Sequence, residues 1–300
     1  MSMKLLFSFL VFAAASIFAQ TSKYDPTMLS PIEQLEHATV RIECDLPDGS
    51  KSTGTGFFYA LRRDASGSIP VIVTNKHVVA GAQKGVFVVT LRTEAGGPDV
   101  GNLFRFELTD FAKAWVSHPD PNIDLCVMPL APLFREAEKT GKHFFYVTLD
   151  DSLLPTAEDI ENFLGMDEIT MVGYPNGLWD QRNNLPVLRR GVLASNYRYD
   201  WNGKSEFLID AACFPGSSGS PILICDMTGY RTKKGTFMGA SRIKLLGVLY
   251  GGPQYTAKGD IAIVTTPTAQ RPIALTNIPN NLGVAIKAEE LRRFDALFAP

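Results

Sequence analysis

The sequence has few of the residues that most often bind metals, with four histidines and four cysteines among its 300 residues. It contains no Cys-x-x-Cys pair and no His-Glu-x-x-His motif, so it gives no support for a metal site. Gly54 and Gly56 lead into an aromatic, strand-like run and not into a helix, which argues against a dinucleotide-binding loop. We therefore expect neither a metal nor an organic cofactor.

An excess of charge of either sign is also missing. The chain has 29 basic and 31 acidic residues, which gives a formal net charge of −2 and an isoelectric point of about 6.1. A protein that binds nucleic acid or an anionic membrane usually carries a basic surface. We therefore expect no nucleic-acid partner.

Long apolar runs are absent except near the N-terminus, where residues 5–18 are all apolar or small. This run follows Lys4 and precedes Ala19 and a polar segment, which is typical of a cleaved secretory leader. It is shorter than the ~20 residues that a membrane-spanning helix needs. We expect residues 1–19 to be a signal peptide, the protein to be periplasmic or secreted, and no stable membrane insertion after the leader is removed.

The cysteines of an exported chain can form disulfides, and Cys44, Cys126, Cys213 and Cys225 permit more than one pairing. All four lie inside apolar, strand-like runs, where cysteine usually acts as a small buried hydrophobic residue. We favour free thiols, and the sequence leaves disulfides open.

Residues 210–221 carry the clearest chemical signal, because Ser218 lies between Gly216 and Gly219 with strand-like runs on both sides. The glycines let the backbone turn so that the N–H groups of Gly216 and Ser218 point the same way and can bind an oxyanion. A serine hydroxyl becomes a good nucleophile only when a base removes its proton. We predict that Ser218 is a nucleophile and that the two N–H groups form an oxyanion hole.

The base and the acid are predicted upstream. Of the four histidines, only His77 follows a β-branched apolar run that ends in a polar segment, residues 74–76. Asp124 has apolar neighbours, and a buried carboxylate needs a partner such as an imidazole N–H. We predict His77 as the general base and Asp124 as its acid partner, and we expect His118 to lie in a surface loop.

The order His77, Asp124, Ser218 is the order of chymotrypsin-like enzymes, whereas α/β-hydrolases and subtilisins have other orders. The chain resembles the trypsin-like peptidases of the chymotrypsin superfamily, in particular the bacterial HtrA-like branch. The motifs that carry the resemblance are residues 53–59, 74–78, 122–125, 210–221 and 281–286.

This resemblance implies an all-β fold of two antiparallel six-stranded β-barrels with the triad in the cleft between them. It implies a serine endopeptidase that acts on protein or peptide substrates through an acyl-enzyme. Unlike many HtrA-like relatives, this chain is expected to lack a PDZ domain.

Departures from the family pattern predict how this site differs. Digestive trypsins carry an acid before the nucleophile that captures a new N-terminus, but this chain has Ser217, so we expect no activation of that kind. By resemblance, Ala212 lies at the base of the specificity pocket, which favours cleavage after small or medium apolar residues over Arg or Lys. Tyr250 and Gly251 are expected to bind substrate, and Ser220 replaces the usual glycine.

The organisation predicted along the chain has six parts. They are a signal peptide (1–19), an N-terminal arm (20–35), an N-terminal β-barrel (36–150), a linker (151–165), a C-terminal β-barrel (166–286) and a C-terminal helix (287–300). Within the second barrel, Asn202 and Gly203 predict a hairpin between residues 197–199 and residues 206–209.

Two other functions share this fold. The chain could be a catalytically silent module that binds peptides or unfolded chains in the same cleft, although such a module needs no base and no acid. It could also be an esterase that uses the same triad on a different leaving group.

Overall fold

The structure is a computed structural model, and it describes residues 15–16, 29–64, 67–252, 254–260, 273–279 and 281–298. The predicted signal peptide lies outside these ranges except for residues 15–16, and residues 20–28 of the predicted arm also lie outside them. In the described ranges, no helix combines the length and the apolar character that crossing a membrane requires.

The first half of the chain forms a sheet of ten strands in which the main path runs β6-β5-β2-β3-β4-β8-β7. The strands are β1 (Ala15–Ser16), β2 (Thr39–Asp45), β3 (Lys51–Asp64), β4 (Gly67–Thr74), β5 (Lys84–Arg92), β6 (Pro98–Thr109), β7 (Val116–Ser117), β8 (Cys126–Pro129), β9 (Phe144–Phe145) and β10 (Val147–Asp150). The sheet has more strands than the six predicted for this barrel, and three of its ten strands, β1, β7 and β9, are only two residues long.

The second half of the chain forms the predicted six-stranded barrel, which is closed in the order β11-β12-β13-β20-β17-β14. Two further hairpins, β15–β16 and β18–β19, lie outside the ring. The strands are β11 (Glu168–Gly173), β12 (Val187–Leu193), β13 (Glu206–Asp210), β14 (Pro221–Asp226), β15 (Gly229–Thr232), β16 (Gly235–Met238), β17 (Arg242–Gly251), β18 (Gln254–Asp260), β19 (Ile273–Pro279) and β20 (Leu282–Lys287).

Helices are short and lie between the strands. The α-helices are α1 (Pro31–Glu36), α2 (Lys76–Val79), α3 (Ala131–Glu138) and α4 (Ala157–Asn162), and the 3-10 helices are Phe111–Ala114, Asp151–Leu153, Pro175–Gly177 and Ala288–Phe298. Ser30 and Glu33 cap α1 reciprocally, and Leu35 in this helix is buried. The end of the predicted exposed arm is therefore a helix packed on the protein.

The predicted C-terminal helix is a 3-10 helix. α-Helical spacing places Leu291, Phe294, Ala296 and Leu297 toward one face, but only Leu291 and Phe294 of these are buried, together with Ala288. The buried residues are three apart because a 3-10 helix has three residues per turn. The helix thereby packs onto the core between the two halves.

The predicted hairpin at Asn202 and Gly203 is much smaller than expected. Both residues have positive φ angles, 53° and 75°, as the turn requires, but a single bridge joins Trp201 to Lys204. Residues 197–199 form no strand. Tyr197 instead buries its ring, and its hydroxyl donates to the Leu246 carbonyl at 2.8 Å, so core packing prevails over strand pairing here.

Three clusters of buried side chains form the core. One fills the first sheet and one fills the closed barrel. The third joins the halves, because it packs Phe57, Val71 and Leu125 of the first sheet with Leu223 and Val248 of the second barrel. This shared cluster fixes the two halves against each other, and the predicted site residues lie on strands and turns that border it.

Candidate active site

His77 and Asp124 are in direct contact. β4 ends at Thr74, as predicted, and His77 follows in the first turn of α2. Its Nδ1 lies 2.5 Å from Oδ2 of Asp124, and its backbone N–H donates to Oδ1 of the same carboxylate at 3.1 Å. Asn75 also donates from Nδ2 to the Asp124 carbonyl at 2.8 Å. This contact assigns the proton of the neutral imidazole to Nδ1 and leaves the Nε2 lone pair available to accept a proton.

The Asp124 side chain is less buried than the sequence predicts. It is 26% exposed, and the His77 side chain is 48% exposed. The buried run of the strand begins only at Leu125, because residues 119–123 form an exposed or half-buried turn. The pair is therefore open to solvent on one side, where a substrate could reach it.

The turn that carries Ser218 has the backbone shape that its glycines predict. Gly216 and Gly219 have φ angles of 86° and 88°. A Cβ atom on Gly219 would overlap the Thr55 carbonyl oxygen, so no other residue fits this position without movement. Thr55 in turn donates from its backbone N–H to the Ser218 carbonyl at 2.8 Å and from Oγ1 to the Gly216 carbonyl at 2.9 Å. The first half of the molecule thus supports the turn directly.

Two backbone N–H groups in this turn have no acceptor among the described residues. The N–H groups of Ser217, Gly219 and Ser220 donate to backbone carbonyls at 3.0, 2.7 and 3.0 Å. Those of Gly216 and Ser218 donate to no group in the part of the chain that the structure describes. These are the two donors that the sequence predicts for an oxyanion hole, and donors of this kind bind an anion.

The peptide bond before Gly216 is held in one orientation. The Pro215 carbonyl accepts from the Asn176 N–H at 2.6 Å. Because a trans peptide places its C=O and N–H on opposite sides, the Gly216 N–H points away from Asn176. Asn176 itself has a φ angle of 51°, in the 3-10 turn at Pro175–Gly177. This turn lies in residues 174–180, which the sequence favours as an ordered surface loop over a border of the substrate cleft, and it keeps the Gly216 donor exposed to a ligand.

The Ser218 hydroxyl donates to the Tyr250 carbonyl at 3.3 Å. Within the described ranges, no hydrogen bond joins it to the His77 imidazole. The structure therefore brings His77 and Asp124 together, and it brings the Ser218 turn next to them without making the third contact. Thr55 connects the Ser218 turn to the segment that carries His77. Its carbonyl accepts from Oγ1 of Thr74 at 2.7 Å, and Thr74 lies three residues before His77.

Tyr250 lies between the halves. Its hydroxyl donates to Oε1 of Glu206 at 3.1 Å. Burial is the largest cause that raises the pKa of Tyr250 to about 12, and the negative charges of Glu206 and Asp124 also contribute to this rise. The charge of Asp124, from the first half, therefore acts on a side chain of the second barrel.

The other predicted substrate-binding residues lie beside the same turn. Ala212 is half-buried, and its carbonyl accepts from the guanidinium of Arg189. Gly251 ends β17, and a Cβ atom there would meet nothing within 4 Å, so this backbone faces open space. Next to Ala212, the Cys213 side chain lies against Gly283. The wall of this region is thus made of small side chains.

In the sequence, Arg189 and Arg190 are a basic pair that could border the substrate cleft, with an ordered surface loop favoured, and nothing there assigns Arg189 a role of its own. Its Nη1 donates to the Ala212 carbonyl and its Nη2 to Ser217 Oγ at 2.8 Å. The neighbouring Arg190 points to solvent, where it pairs with Glu168. Strand alternation, which places consecutive side chains on opposite faces, could have separated the two arginines.

The expectation that His118 lies in a surface loop is wrong. Its side chain has no exposed area, and it packs edge-on against Phe294 of the C-terminal helix. Its Nδ1 accepts from the Asp120 N–H at 3.1 Å, and Nε2 lies 3.2 Å from the Glu290 carbonyl. His118 thus fastens the C-terminal helix to the first half.

The four cysteines are free thiols in the structure, as the sequence favours, and they form no disulfides there. Burial raises the pKa of Cys44 and Cys213 to about 11 and that of Cys225 to about 12, and it also raises the pKa of Cys126. Across the described ranges, no group of three or more His, Cys, Asp or Glu side chains is placed to hold a metal ion.

Comparison with known proteins identifies the fold of these elements. The family model of the trypsin-like peptidase domain matches residues 54–229, which is more than half of the chain. That range includes all three predicted triad residues. No curated protein matches the chain significantly in sequence.

Solved structures similar to the chain include proteases. The Rv3671c protease from M. tuberculosis in its active form is 15% identical, with 90% of this chain and 84% of that chain covered and a TM-score of 0.43. The HtrA-type protease AlgW with tripeptide is 15% identical, with 86% and 58% covered and a TM-score of 0.42. Deg5 is 20% identical, with 73% and 82% covered and a TM-score of 0.42.

Proposed function

Because the chain belongs to the trypsin-like peptidase domain family, we propose that it is a serine endopeptidase with the triad His77, Asp124 and Ser218. The observation that carries this proposal is the double contact of one carboxylate with the ring and the backbone of His77. A carboxylate in that position orients the imidazole and stabilises the imidazolium that forms during the reaction.

In the proposed reaction, Ser218 Oγ attacks the carbonyl carbon of the scissile peptide bond while His77 Nε2 takes the hydroxyl proton. The same proton then goes to the leaving amine as the C–N bond breaks, which leaves an acyl-enzyme. A water molecule, deprotonated by His77, attacks the acyl carbon and returns Ser218 to its starting state. Asp124 stays ionised and holds the ring throughout.

The Ser218 hydroxyl must leave its bond to the Tyr250 carbonyl before it can reach His77. Rotation about one side-chain bond redirects Oγ, and staggered rotamers of serine are close in energy. Catalytic hydrogen bonds are often long or misaligned without substrate and form in the complex. The N–H groups of Gly216 and Ser218, which have no acceptor among the described residues, would bind the oxyanion of the tetrahedral intermediate.

We propose a preference for small or medium apolar residues before the cleaved bond. Ala212 offers no carboxylate for an Arg or Lys side chain, and the cation of Arg189 lies on its carbonyl. A positive charge so close to the pocket base repels a basic substrate side chain. Sequencing of the products from a peptide library measures the preference, and dominance of Arg or Lys before the cut would refute it.

We also propose that the protein is exported, to the periplasm or outside the cell, with residues 1–19 removed. The basic start and the short apolar run support this proposal. N-terminal sequencing of the mature protein from a fractionated bacterial host tests it. We expect a mature chain that begins near Gln20, and an intact Met1 in the cytoplasmic fraction would contradict it.

A fluorophosphonate probe, which reacts with activated serines, tests the central proposal. We expect the full chain to be labelled and the Ser218→Ala variant not to be labelled. Ser220→Ala is a matched control in the same turn, because its buried hydroxyl has no hydrogen-bond partner among the described residues. We expect that variant to be labelled like the wild type. If the wild type resists the probe, the protein is not a serine peptidase and the peptide-binding alternative gains support.

A further inference from the structure

Arg189 holds both ends of the segment that leads to the nucleophile. It lies on β12 opposite Met171, which is fully buried in the barrel, so its side chain points to the barrel interior. Its Nη1 donates to the Ala212 carbonyl, and Nη2 donates to Ser217 Oγ at 2.8 Å. Residues 212–217 form the loop that leads to Ser218. One guanidinium therefore binds both the first and the last residue of this loop.

The charge of Arg189 has no carboxylate partner in the described part of the chain. Burial lowers the pKa of this guanidinium, and Nε is buried without an acceptor. Burying a charge without an opposite charge costs stability, so packing alone does not favour an arginine here. Arg190 differs on both counts, because its side chain is 77% exposed and paired with Glu168.

The hydrogen-bond partners of Arg189 lie on either side of the Gly216 N–H along the chain, so the cation can hold this donor in place. Ser217 is 1% exposed, and Gly216 is buried with its N–H directed to the site. Hydrogen bonds from a charged donor are about twice as strong as neutral ones. A rigid planar guanidinium that binds the Ala212 carbonyl and the Ser217 hydroxyl fixes the distance between these two residues. The Gly216 N–H, which lies inside this span, is thereby held in place.

We propose that Arg189 is a positioning residue that keeps the oxyanion-binding loop in its active shape, an inference that rests on the proposed peptidase function. The cation comes from β12 of the same barrel as the loop. No cleavage of the chain is needed to supply it, so the oxyanion-binding loop can take its active shape once both halves have folded.

Steady-state hydrolysis of a peptide substrate by Arg189→Ala and Arg190→Ala tests this inference. An oxyanion hole acts in the transition state, so we expect Arg189→Ala to lower kcat by about 100- to 1000-fold and to change KM much less. Arg190→Ala is the matched control one residue away, and we expect wild-type kcat. Wild-type kcat in a folded Arg189→Ala variant would overturn the inference.

Chemical rescue separates positioning from a general loss of structure. Arg189 is only partly buried, and it contacts a loop in which Phe214 and Pro215 are exposed, so a small cation can enter from solvent. We expect millimolar guanidinium to restore part of kcat in Arg189→Ala, whereas equal concentrations of sodium or urea do not. A folded Arg189→Ala variant whose activity no guanidinium concentration raises would count against the inference.

Ser217→Ala decides the question if Arg189→Ala does not fold, because it removes only one hydroxyl. We expect a loss of kcat of about 10-fold for this variant, as for one hydrogen bond to a charged group. We also expect Ser217→Asp, which provides a carboxylate for Arg189, to retain kcat within a few-fold. Unchanged kcat in Ser217→Ala would overturn the inference.

The labelling experiment distinguishes failure of this inference from failure of the proposed function. If wild type is not labelled by the fluorophosphonate, the peptidase proposal fails and this inference fails with it. If wild type and Arg189→Ala are labelled at equal rates, only the positioning role fails. Slower labelling of Arg189→Ala than of Arg190→Ala supports both.

Discussion

The two halves of the molecule hold their parts of the site by different means. All four histidines lie in the first half, and residues 166–286 contain none. In the first half, His77 and Asp124 are joined by direct side-chain bonds. In the second half, Ser218 sits on a turn shaped by glycines and held from outside by Thr55 and Arg189. The proposed acid–base pair is thus built within one half, whereas the proposed nucleophile and oxyanion donors depend on support from several elements.

This difference predicts how substitutions in each half affect activity. Substitutions in the first half should lower activity through one contact, the pair of His77 and Asp124. Damage to the second half should act at several positions that never touch a substrate, because each of them shapes the same backbone turn. The following substitutions test this contrast.

The largest effect is expected for Asp124→Asn. The amide cannot accept from both the ring and the backbone of His77 as the carboxylate does, so the imidazole loses its orientation and its counter-charge. We expect kcat to fall by about 10⁴-fold with the fold retained. Asp120→Asn is the control, since its carboxylate accepts from Asn122 and pairs with Arg293. A loss below about tenfold in Asp124→Asn would show that the pair is not catalytic.

A smaller but clear loss is expected for Thr55→Val in the contact between the halves. Thr55 Oγ1 donates to the Gly216 carbonyl at 2.9 Å and accepts from the Tyr174 N–H at 3.1 Å. Valine has nearly the same shape and removes both bonds, so we expect kcat/KM to fall by about 10- to 100-fold. Thr39→Val is the matched control, because the buried Thr39 hydroxyl has no partner in the described ranges.

If both threonine variants behave alike in a peptide hydrolysis assay, Thr55 does not support the turn. A loss confined to Thr55→Val would show that the first half holds the nucleophile of the second half in place.

His118→Phe should lower stability and leave catalysis unchanged, in contrast with any change at His77. The ring keeps its contact with Phe294 but loses its bonds to Asp120 and Glu290. We expect the free energy of unfolding to fall by about 1–3 kcal/mol, measured by urea denaturation, with wild-type labelling by the fluorophosphonate. His143→Phe is the control at an exposed position. Loss of labelling in folded His118→Phe would contradict this assignment.

The smallest effect on activity is expected for His37, where only the pH dependence of stability should change. Burial lowers the pKa of His37 to about 4, from a usual value of about 6.5. The unfolded chain therefore takes up this proton at a higher pH than the folded protein. The stability that the neutral ring contributes is complete above about pH 6.5, and it is lost as the pH falls toward about 4.

Denaturation curves at several pH values measure this effect. We expect wild type to lose more stability than His37→Phe between about pH 6.5 and about pH 4, because phenylalanine has no proton to bind. Equal losses in the two proteins would mean that His37 does not contribute to the acid sensitivity.

Features that depend on neighbouring residues could be predicted from the sequence. The end of β4 before His77, the glycine turn at Ser218 and the strand that follows it are all marked by local patterns of apolar residues and glycine. The six strands of the second barrel are implied by the resemblance to the family, whereas the local pattern also predicts a strand at residues 197–199, where none forms. The triad roles themselves stay predictions until activity is measured.

Features that depend on distant packing could not be predicted. His118 contacts Glu290, which lies 172 positions away, and nothing near His118 in the sequence indicates that contact. Arg189 reaches Ala212 across 23 positions by a side chain whose direction only the barrel fixes. The two-residue strands of the first sheet have no periodicity to detect, so the number of strands was underestimated there.

The hydrogen bond from Thr55 to the Ser218 carbonyl has a consequence for biogenesis. A polypeptide emerges from the ribosome with its N-terminus first, so the surface that shapes the serine turn exists before the turn does. The turn cannot take its final form until it docks there, since Gly219 lies against the Thr55 carbonyl without space for a side chain. Peptidase activity would thus arise only in the fully folded protein, so nascent chains nearby would not be cleaved during synthesis.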